Sequence, residues 1–357
     1  MRSDMKKIIA VFGTRPEAVK MCPLVLELKK RDRFEVKVCL TGQHRELLDG
    51  VTALFGINAD YDLEVMKKGQ ALADMTARII DGIEWVLEEE KPDLVLVHGD
   101  TATAFAAALA AFYMKIPVGH VEAGLRTYDI SSPYPEEFNR RAISLISTYD
   151  FAPTEAARAN LIKEGKNPDR IFVTGNTVVD ALNFTAKEVQ TDEKLVLLTS
   201  HRRENIGEPM RNVFSAVRAI ARKYPDLKIV YPVHPNPAVR RIAEERLGEE
   251  ENIKLCEPLG LMEFHNLIAR CYCVLTDSGG VQEEAAALGK PVLILRDTTE
   301  RTESDSLMLV GTNEDDVARE FERLLEDEEL YNKMKNAPNP YGDGNASARI
   351  ADIIERI

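Results

Sequence analysis

CVLTDSGGVQEEAAALGKPVLILR, residues 273–296, reads as one complete strand–helix–strand unit. Two short apolar runs, CVLTDS (273–278) and PVLILR (291–296), flank a helical stretch at 281–288, with a Ser-Gly-Gly turn at its start. Near-continuous apolar runs of this length suit parallel strands covered on both faces. The same unit recurs outward from this stretch. LVLLTS (195–200), KIVYPV (228–233) and NIKLCE (252–257) precede it, with helical patterns at 209–223, 236–247, 261–270 and, after it, 314–326. An earlier series comprises IIAVFG (8–13), VKVCLT (36–41), LVLVHG (94–99), PVGHVE (117–122), YDFAPT (149–154) and IFVTG (171–175). Helical patterns fall between these runs at 16–31, 70–90, 101–114 and 154–164.

This alternation predicts an α/β chain built from two Rossmann-like, doubly wound domains facing each other across a cleft. The 357 residues exceed what one core usually organises. The polar stretch 183–194 reads as the linker, giving domains 1–182 and 183–340. Segment 341–357 is a terminal helix that packs on either domain, with a return to the first expected.

Composition narrows the function. A net charge of -13 leaves no basic surplus for a nucleic-acid backbone, though it permits a small anion. No apolar run approaches a membrane span, and the short one near the N-terminus is too brief for a signal peptide. The five cysteines, Cys22, Cys39, Cys256, Cys271 and Cys273, are odd in number and scattered. They read as reduced core thiols of a cytoplasmic protein. Cys271 and Cys273 lack a second ligand pair, so no metal is expected. Neither G-x-G-x-x-G nor a Walker loop occurs, so no dinucleotide cofactor is expected.

Chemistry-bearing residues cluster just after the strands. Gly13-Thr14-Arg15-Pro16 opens a helix whose amides, with Arg15 and Lys20, suit an anion. Asp100 and Glu122 close two strands and suit proton transfer; equally, Asp100 fits a helix cap and Glu122 a pair with Arg126. Glu136 starts a helix after Pro135, either as a functional acid or as a partner of Arg140. His98 and His120 read as core histidines. His201-Arg202-Arg203 is a cationic patch, and His234 a weaker signal. Asp277-Ser278-Gly279-Gly280 forms a phosphate cradle without Walker residues, and Glu284, one turn on, suits a ribose. Thr298-Thr299-Glu300-Arg301 adds a cation after the next strand. Asp60-Tyr61-Asp62 matches a D-x-D metal motif but reads as a loop coincidence.

Taken in order, FGTRPEA (12–18), TGQHR (41–45), VHGDT (97–101), HVEAGLR (120–126), PYPEE (133–137), GNTVVDAL (175–182), HRREN (201–205), DSGGVQEE (277–284), RDTTER (296–301) and NPYGDG (339–344) resemble the non-hydrolysing UDP-N-acetylglucosamine 2-epimerases. The resemblance implies a GT-B-like fold and reversible exchange of UDP-N-acetylglucosamine and UDP-N-acetylmannosamine for polysaccharide synthesis, by a cytoplasmic homodimer without metal or NAD. It implies Asp100, Glu122, Glu136 and His201 as catalytic residues. Ser278, Gly279, Gly280, Glu284 and Arg301 would hold UDP, Leu259 and Phe264 would lie near the uracil, and Arg15 and Lys20 would face sugar and diphosphate. Gln43, His44, Gln70, Arg202 and His234 match a second, activating site. One departure stands out: residues 302–307 lack the family's glycine in an apparently shortened loop. Three other readings stay open: a hydrolysing epimerase releasing N-acetylmannosamine, a GT-B-type glycosyltransferase, and a silent nucleotide-sugar binder.

Overall fold

The computed structural model describes residues 5–42, 45–67, 69–187, 193–299 and 304–357. The chain divides into two compact units, Met1–Ala181 with Tyr341–Ile357, and Leu182–Pro340.

In unit 1, strands β1 (Lys6–Phe12), β2 (Phe34–Leu40), β3 (Tyr61–Asp62), β4 (Leu94–His98), β5 (Val118–Val121), β6 (Tyr149–Ala152) and β7 (Ile171–Val173) form one sheet. Its order is β3-β2-β1-β4-β5-β6-β7, with parallel pairing throughout. The connecting helices are α1 (Arg15–Lys29), α2 (Arg45–Leu54), α3 (Leu72–Glu90), α4 (Ala102–Tyr113), α5 (Glu136–Ile146) and α6 (Glu155–Lys163). Right-handed crossovers place α1 and α2 on one face and α3 to α6 on the other, as the α1–α2, α3–α4 and α4–α5 contacts show. The alanine-rich α4 is buried over most of its surface. Thr101 starts it, its Oγ1 accepting the Ala104 N–H at 3.0 Å. Small side chains let α4 sit close against the sheet between two neighbours.

Helix α7 (Thr177–Thr185) crosses the unit boundary, so the expected linker at 183–194 begins inside a helix. Strands β8 (Leu195–Thr199), β9 (Lys228–Pro232), β10 (Ile253–Cys256), β11 (Cys273–Thr276), β12 (Val292–Ile294) and β13 (Leu307–Leu309) build the second parallel sheet, ordered β10-β9-β8-β11-β12-β13. Helices α8 (Glu208–Lys223), α9 (Pro237–Leu247), α10 (Leu261–Arg270), α11 (Gly279–Ala287), α12 (Glu314–Glu326) and α13 (Glu328–Lys335) cover its faces. The last helix, α14 (Ala346–Arg356), packs on α1 in unit 1. Its first amides, those of Ala346 and Ser347, donate to the Asp180 carboxylate at 3.2 and 2.8 Å.

Two strands escape the sequence reading. Tyr61–Asp62 pair with Cys39–Leu40 as an edge strand, so the D-x-D lies partly in the sheet rather than in a loop. The Asp60 carboxylate accepts the Val38 N–H at 2.9 Å and pairs with Lys37 at 3.3 Å, a structural role. Of the 302–307 segment, residues 304–307 are described and are no simple loop. Leu307 enters β13, and the buried Ser304 and Ser306 hydroxyls bond each other at 2.6 Å. Four cysteines are buried as expected for core thiols, whereas Cys256 is only partly covered. Among the described residues no metal-binding cluster occurs and no helix is long and apolar enough to cross a membrane.

Candidate active site

In unit 1 the winding reverses between β1 and β4, and the polar residues gather at that end of the sheet. Gly13 follows β1 because nothing larger fits. A Cβ there would lie 1.9 Å from Thr41 Oγ1 and 2.7 Å from Thr103 Oγ1. Close approach demands the glycine. Helix α1 begins at Arg15, so Pro16 is its second residue, and Thr14 is the cap. Glu17, only 1% exposed, folds back over this turn. Its carboxylate accepts the Gly13 and Thr14 N–H groups at 3.1 and 2.8 Å and the Thr14 and Thr101 hydroxyls at 2.7 Å each. Burial nevertheless raises its pKa. Those two amides, expected to meet an anion, are therefore already taken by an internal carboxylate. Arg15 is partly exposed, whereas Lys20 is buried and its ammonium pairs with Glu122.

Glu122, just past β5, adopts a left-handed backbone with φ 61°. Such a conformation is strained for a non-glycine residue and persists where surrounding contacts over-determine it. Those contacts are Lys20, the Asn176 amide at 2.8 Å, and His98 Nε2 at 3.7 Å. Burial pushes the His98 pKa down to about 3, so this imidazole stays neutral beside the acid. His120 is also buried with a lowered pKa, and its Nε2 bonds the Gly99 carbonyl at 2.7 Å.

Neither structural alternative for Asp100 and Glu122 holds. Arg126 turns away from Glu122 to bind Glu164 at 2.9 and 2.8 Å and Ser144 at 2.9 Å. Thr101 caps α4, and Asp100 instead pairs with Arg140 at 2.7 Å. Glu136 is the partly exposed first residue of α5. Arg140 reaches Glu137 at 3.6 Å, and buried Glu137 accepts the Thr127 and Tyr128 N–H groups at 3.0 Å each. Sequence reading overlooked Glu17 and Glu137 as anchors. The Thr14-x-x-Glu17 spacing of a capping box was the available signal for the first.

In unit 2 the reversal falls between β8 and β11. Buried Asp277 follows β11 and gathers the opposite turn around its carboxylate. The donors are Ser200 Oγ at 2.8 Å, the His201 N–H at 3.0 Å, the Arg202 N–H at 3.1 Å and the Asn205 amide at 3.0 Å. His201 stacks flat on His234, ring centres 5.2 Å apart and planes 7° from parallel. Burial, with His201 alongside, lowers the His234 pKa. The Arg202 guanidinium lies 3.7 Å from Glu204.

Ser278 opens α11 without capping it through its side chain. The first turn, Gly279 to Val281, thus presents amides not satisfied by that cap. Such a helix start attracts an anion. A Cβ on Gly280 would meet no atom of another described part of the chain within 4 Å, so packing among the described residues does not require this glycine. Glu284 sits one turn further on, 3.6 Å from His265 Nε2. Phe264, on α10, and Leu259, just before it, are partly exposed. Gln70 lies in unit 1, where its amide meets Met66 Sδ at 3.2 Å. Gln43, His44 and Arg301 fall outside the described residues.

An open helix start suited to a phosphate and a buried acid–base cluster, each at the carboxyl edge of a doubly wound sheet, define an α/β enzyme of phosphorylated substrates. Comparison with known proteins makes this specific. A family model described as UDP-N-acetylglucosamine 2-epimerase matches residues 26–355. The UDP-N-acetylglucosamine 2-epimerase of Bacillus subtilis is 51% identical, covering 98% of this chain and 94% of its own. The crystal structure of UDP-GlcNAc 2-epimerase from Neisseria meningitidis bound to UDP-GlcNAc superposes with TM-score 0.95 at 48% identity, covering 98% of this chain and 100% of that one. The Methanocaldococcus jannaschii enzyme, in complex with UDP-GlcNAc and UDP, gives 0.85 at 35% identity, with 98% and 100% covered. The chain belongs to the UDP-N-acetylglucosamine 2-epimerase family.

Two outcomes follow from this geometry. Gly280→Ala is expected to leave the melting temperature unchanged while weakening UDP binding at least about tenfold, because the added methyl occupies space open to a ligand; calorimetry with UDP measures it. His98 supplies a pH test. Its folded pKa of about 3 lies below the ordinary 6.5, so below pH 6.5 the unfolded chain takes up a proton that the folded chain refuses. Stability is therefore lost as pH falls from 6.5 toward 3, at up to about 1.4 kcal/mol per pH unit. Urea melts of the parent and His98→Gln should show a shallower acid slope in the variant.

Proposed function

We propose that this protein interconverts UDP-N-acetylglucosamine and UDP-N-acetylmannosamine by eliminating UDP and adding it back. No carbonyl adjoins sugar carbon 2 within the ring, so its hydrogen is not acidic enough for direct removal and return. Elimination avoids this. The bond from carbon 1 to the diphosphate oxygen breaks, UDP leaves with the electron pair, and the carbon 2 hydrogen departs as a proton. A double bond forms between the two carbons. Return of a proton to the opposite face of carbon 2, with UDP re-adding at carbon 1, inverts that centre.

The observation that carries this reading is the pair of carboxylates at neighbouring strand ends, Asp100 beside Arg140 and Glu122 beside Lys20. Inversion needs one group to take a proton and another to return it on the opposite face, and two acids with separate cations suit that division. In this reading the α11 amides stabilise charge on the leaving diphosphate, Glu284 accepts the ribose hydroxyls, and Phe264 and Leu259 lie by the uracil. His201 and Glu136 complete the catalytic set, while Arg15 and Arg301 contribute charge toward the substrate. Full-length relatives bearing the epimerase name support the assignment.

Cytoplasmic residence and a homodimer belong to the same proposal. Helices α4 and α5 run side by side, with Phe105 and Phe138 edge-to-face at 5.7 Å. Two turns further along them, Phe112 and Tyr113 are 50% and 65% exposed and Leu145 is 85% exposed. An apolar patch of this kind suits burial against a second copy.

Incubation with UDP-N-acetylglucosamine in deuterated water is expected to yield UDP-N-acetylmannosamine carrying deuterium at carbon 2, read by NMR. Product without deuterium would falsify the elimination route, and free N-acetylmannosamine would identify a hydrolase instead. Glu122→Gln and Asp100→Asn should each cut kcat about 100-fold or more with folding retained. Leu145→Glu should shift the mass measured by light scattering from dimer to monomer; an unchanged dimer would place the interface elsewhere.

A further inference from the structure

His265, on α10, is completely buried. Its Nδ1 is hydrogen-bonded to the Thr185 hydroxyl on α7. Its Nε2 is buried, has no hydrogen-bond partner among the described residues, and lies 3.6 Å from Glu284 Oε1 on α11. Buried polar atoms without partners are uncommon enough to need a reason. Here the spacing is just beyond hydrogen-bond length, so a small rotation of Glu284 closes it.

A histidine that merely filled space would not need a defined ring orientation. The Thr185 bond supplies one, fixing which edge of the imidazole faces Glu284. The Glu284 side chain is itself mostly buried, 13% exposed. A carboxylate has two oxygens. With one turned toward His265, the other is left to meet a ligand. Left alone on a helix surface, a glutamate has three rotatable bonds and would choose among many positions.

We propose that His265 is a positioning residue that anchors Glu284 so that its free oxygen accepts hydrogen bonds from a ribose. It would thereby set the preference for ribonucleotides over sugars lacking those hydroxyls. This rests on the reading of Glu284 as the ribose acceptor. The action is indirect: His265 touches the carboxylate, and the carboxylate touches the nucleotide. A site built around hydroxyl groups discriminates strongly against analogues lacking them, because its own polar groups are then left unpaired.

The test is the affinity ratio for UDP against 2′,3′-dideoxy-UDP, by calorimetry on the full-length protein. The parent should prefer UDP by about 100-fold or more. In His265→Leu this preference should fall at least about tenfold, while affinity for the dideoxy nucleotide changes less than about threefold. His265→Gln, whose amide can again donate toward Glu284, should recover most of the preference. A His265→Leu protein that keeps the parent's ratio, or that loses both nucleotides equally, overturns the proposal. Glu284→Ala, which removes both acceptor oxygens, separates the two levels. If it retains the preference, the ribose assignment itself falls; if it loses the preference while His265→Leu does not, only the role of His265 falls. Should His265→Leu fail to melt cooperatively, Thr185→Val, which leaves the imidazole but frees its ring, must lower the ratio, and an unchanged ratio overturns the proposal.

Discussion

Parallel strand pairing is the constraint from which the functional architecture follows. Each connection must return from the end of one strand to the start of the next, so every strand in a sheet finishes at the same edge. In both units the chain adds strands on one side of its first strand and then crosses to the other side. Helices leave that edge on opposite faces at the reversal, between β1 and β4 and between β8 and β11. Side chains that would be costly inside the sheet collect there: Glu17, Asp100 and Glu122 in one unit, His201, Asp277 and Ser278 in the other. The apolar runs that build the cores also determine where the chemistry sits.

Burying a carboxylate at such an edge is tolerable only when hydrogen bonds replace its water. An unsatisfied buried polar group costs about 1–3 kcal/mol, and more if charged. Glu17, Glu137 and Asp277 meet this requirement by drawing in backbone amides from turns that would otherwise be loose. Each then acts as an internal ligand, organising its turn much as a bound anion would. The consequence is a contrast between two helix starts of similar sequence pattern. At α1, Thr14 and Glu17 occupy the turn; at α11, Ser278 provides no side-chain cap. Only the second remains suited to a phosphate from outside the chain, although a glycine precedes or begins both helices.

Most of the strand–helix alternation was legible because buried parallel strands need apolar runs, and those runs stand out. The missed strands, β3 and β13, are two and three residues long and lie at sheet edges. They are held by pairing with a neighbour, which leaves little trace in their own composition. Helix α2 was missed too, and α13 lies in a polar, charged stretch. The site was legible as a list of residue types at strand ends, but not as a set of partnerships. Lys20 lies 102 positions from Glu122, Asn176 lies 54 from it, and Ser200 lies 77 from Asp277. Local alternatives such as Glu122 with Arg126 were attractive because they were near in sequence. The sheet decides otherwise by bringing distant turns to one edge.

Those partnerships explain why Glu122 can occupy a strained backbone. A left-handed glutamate is unfavourable by itself, and a free chain would relax it. Lys20 comes from α1, Asn176 from the turn before α7, and His98 from the end of β4, so three separate elements hold one carboxylate. The Asn176 N–H in turn donates to the Tyr341 carbonyl at 2.7 Å, tying this cluster to the segment that returns from the far end of the chain. The return of residues 341–357 to the first unit is therefore more than a terminal helix finding an apolar face. It closes the frame around a left-handed glutamate, and a carboxylate gripped from three separate elements is kept in one orientation at the edge of the sheet.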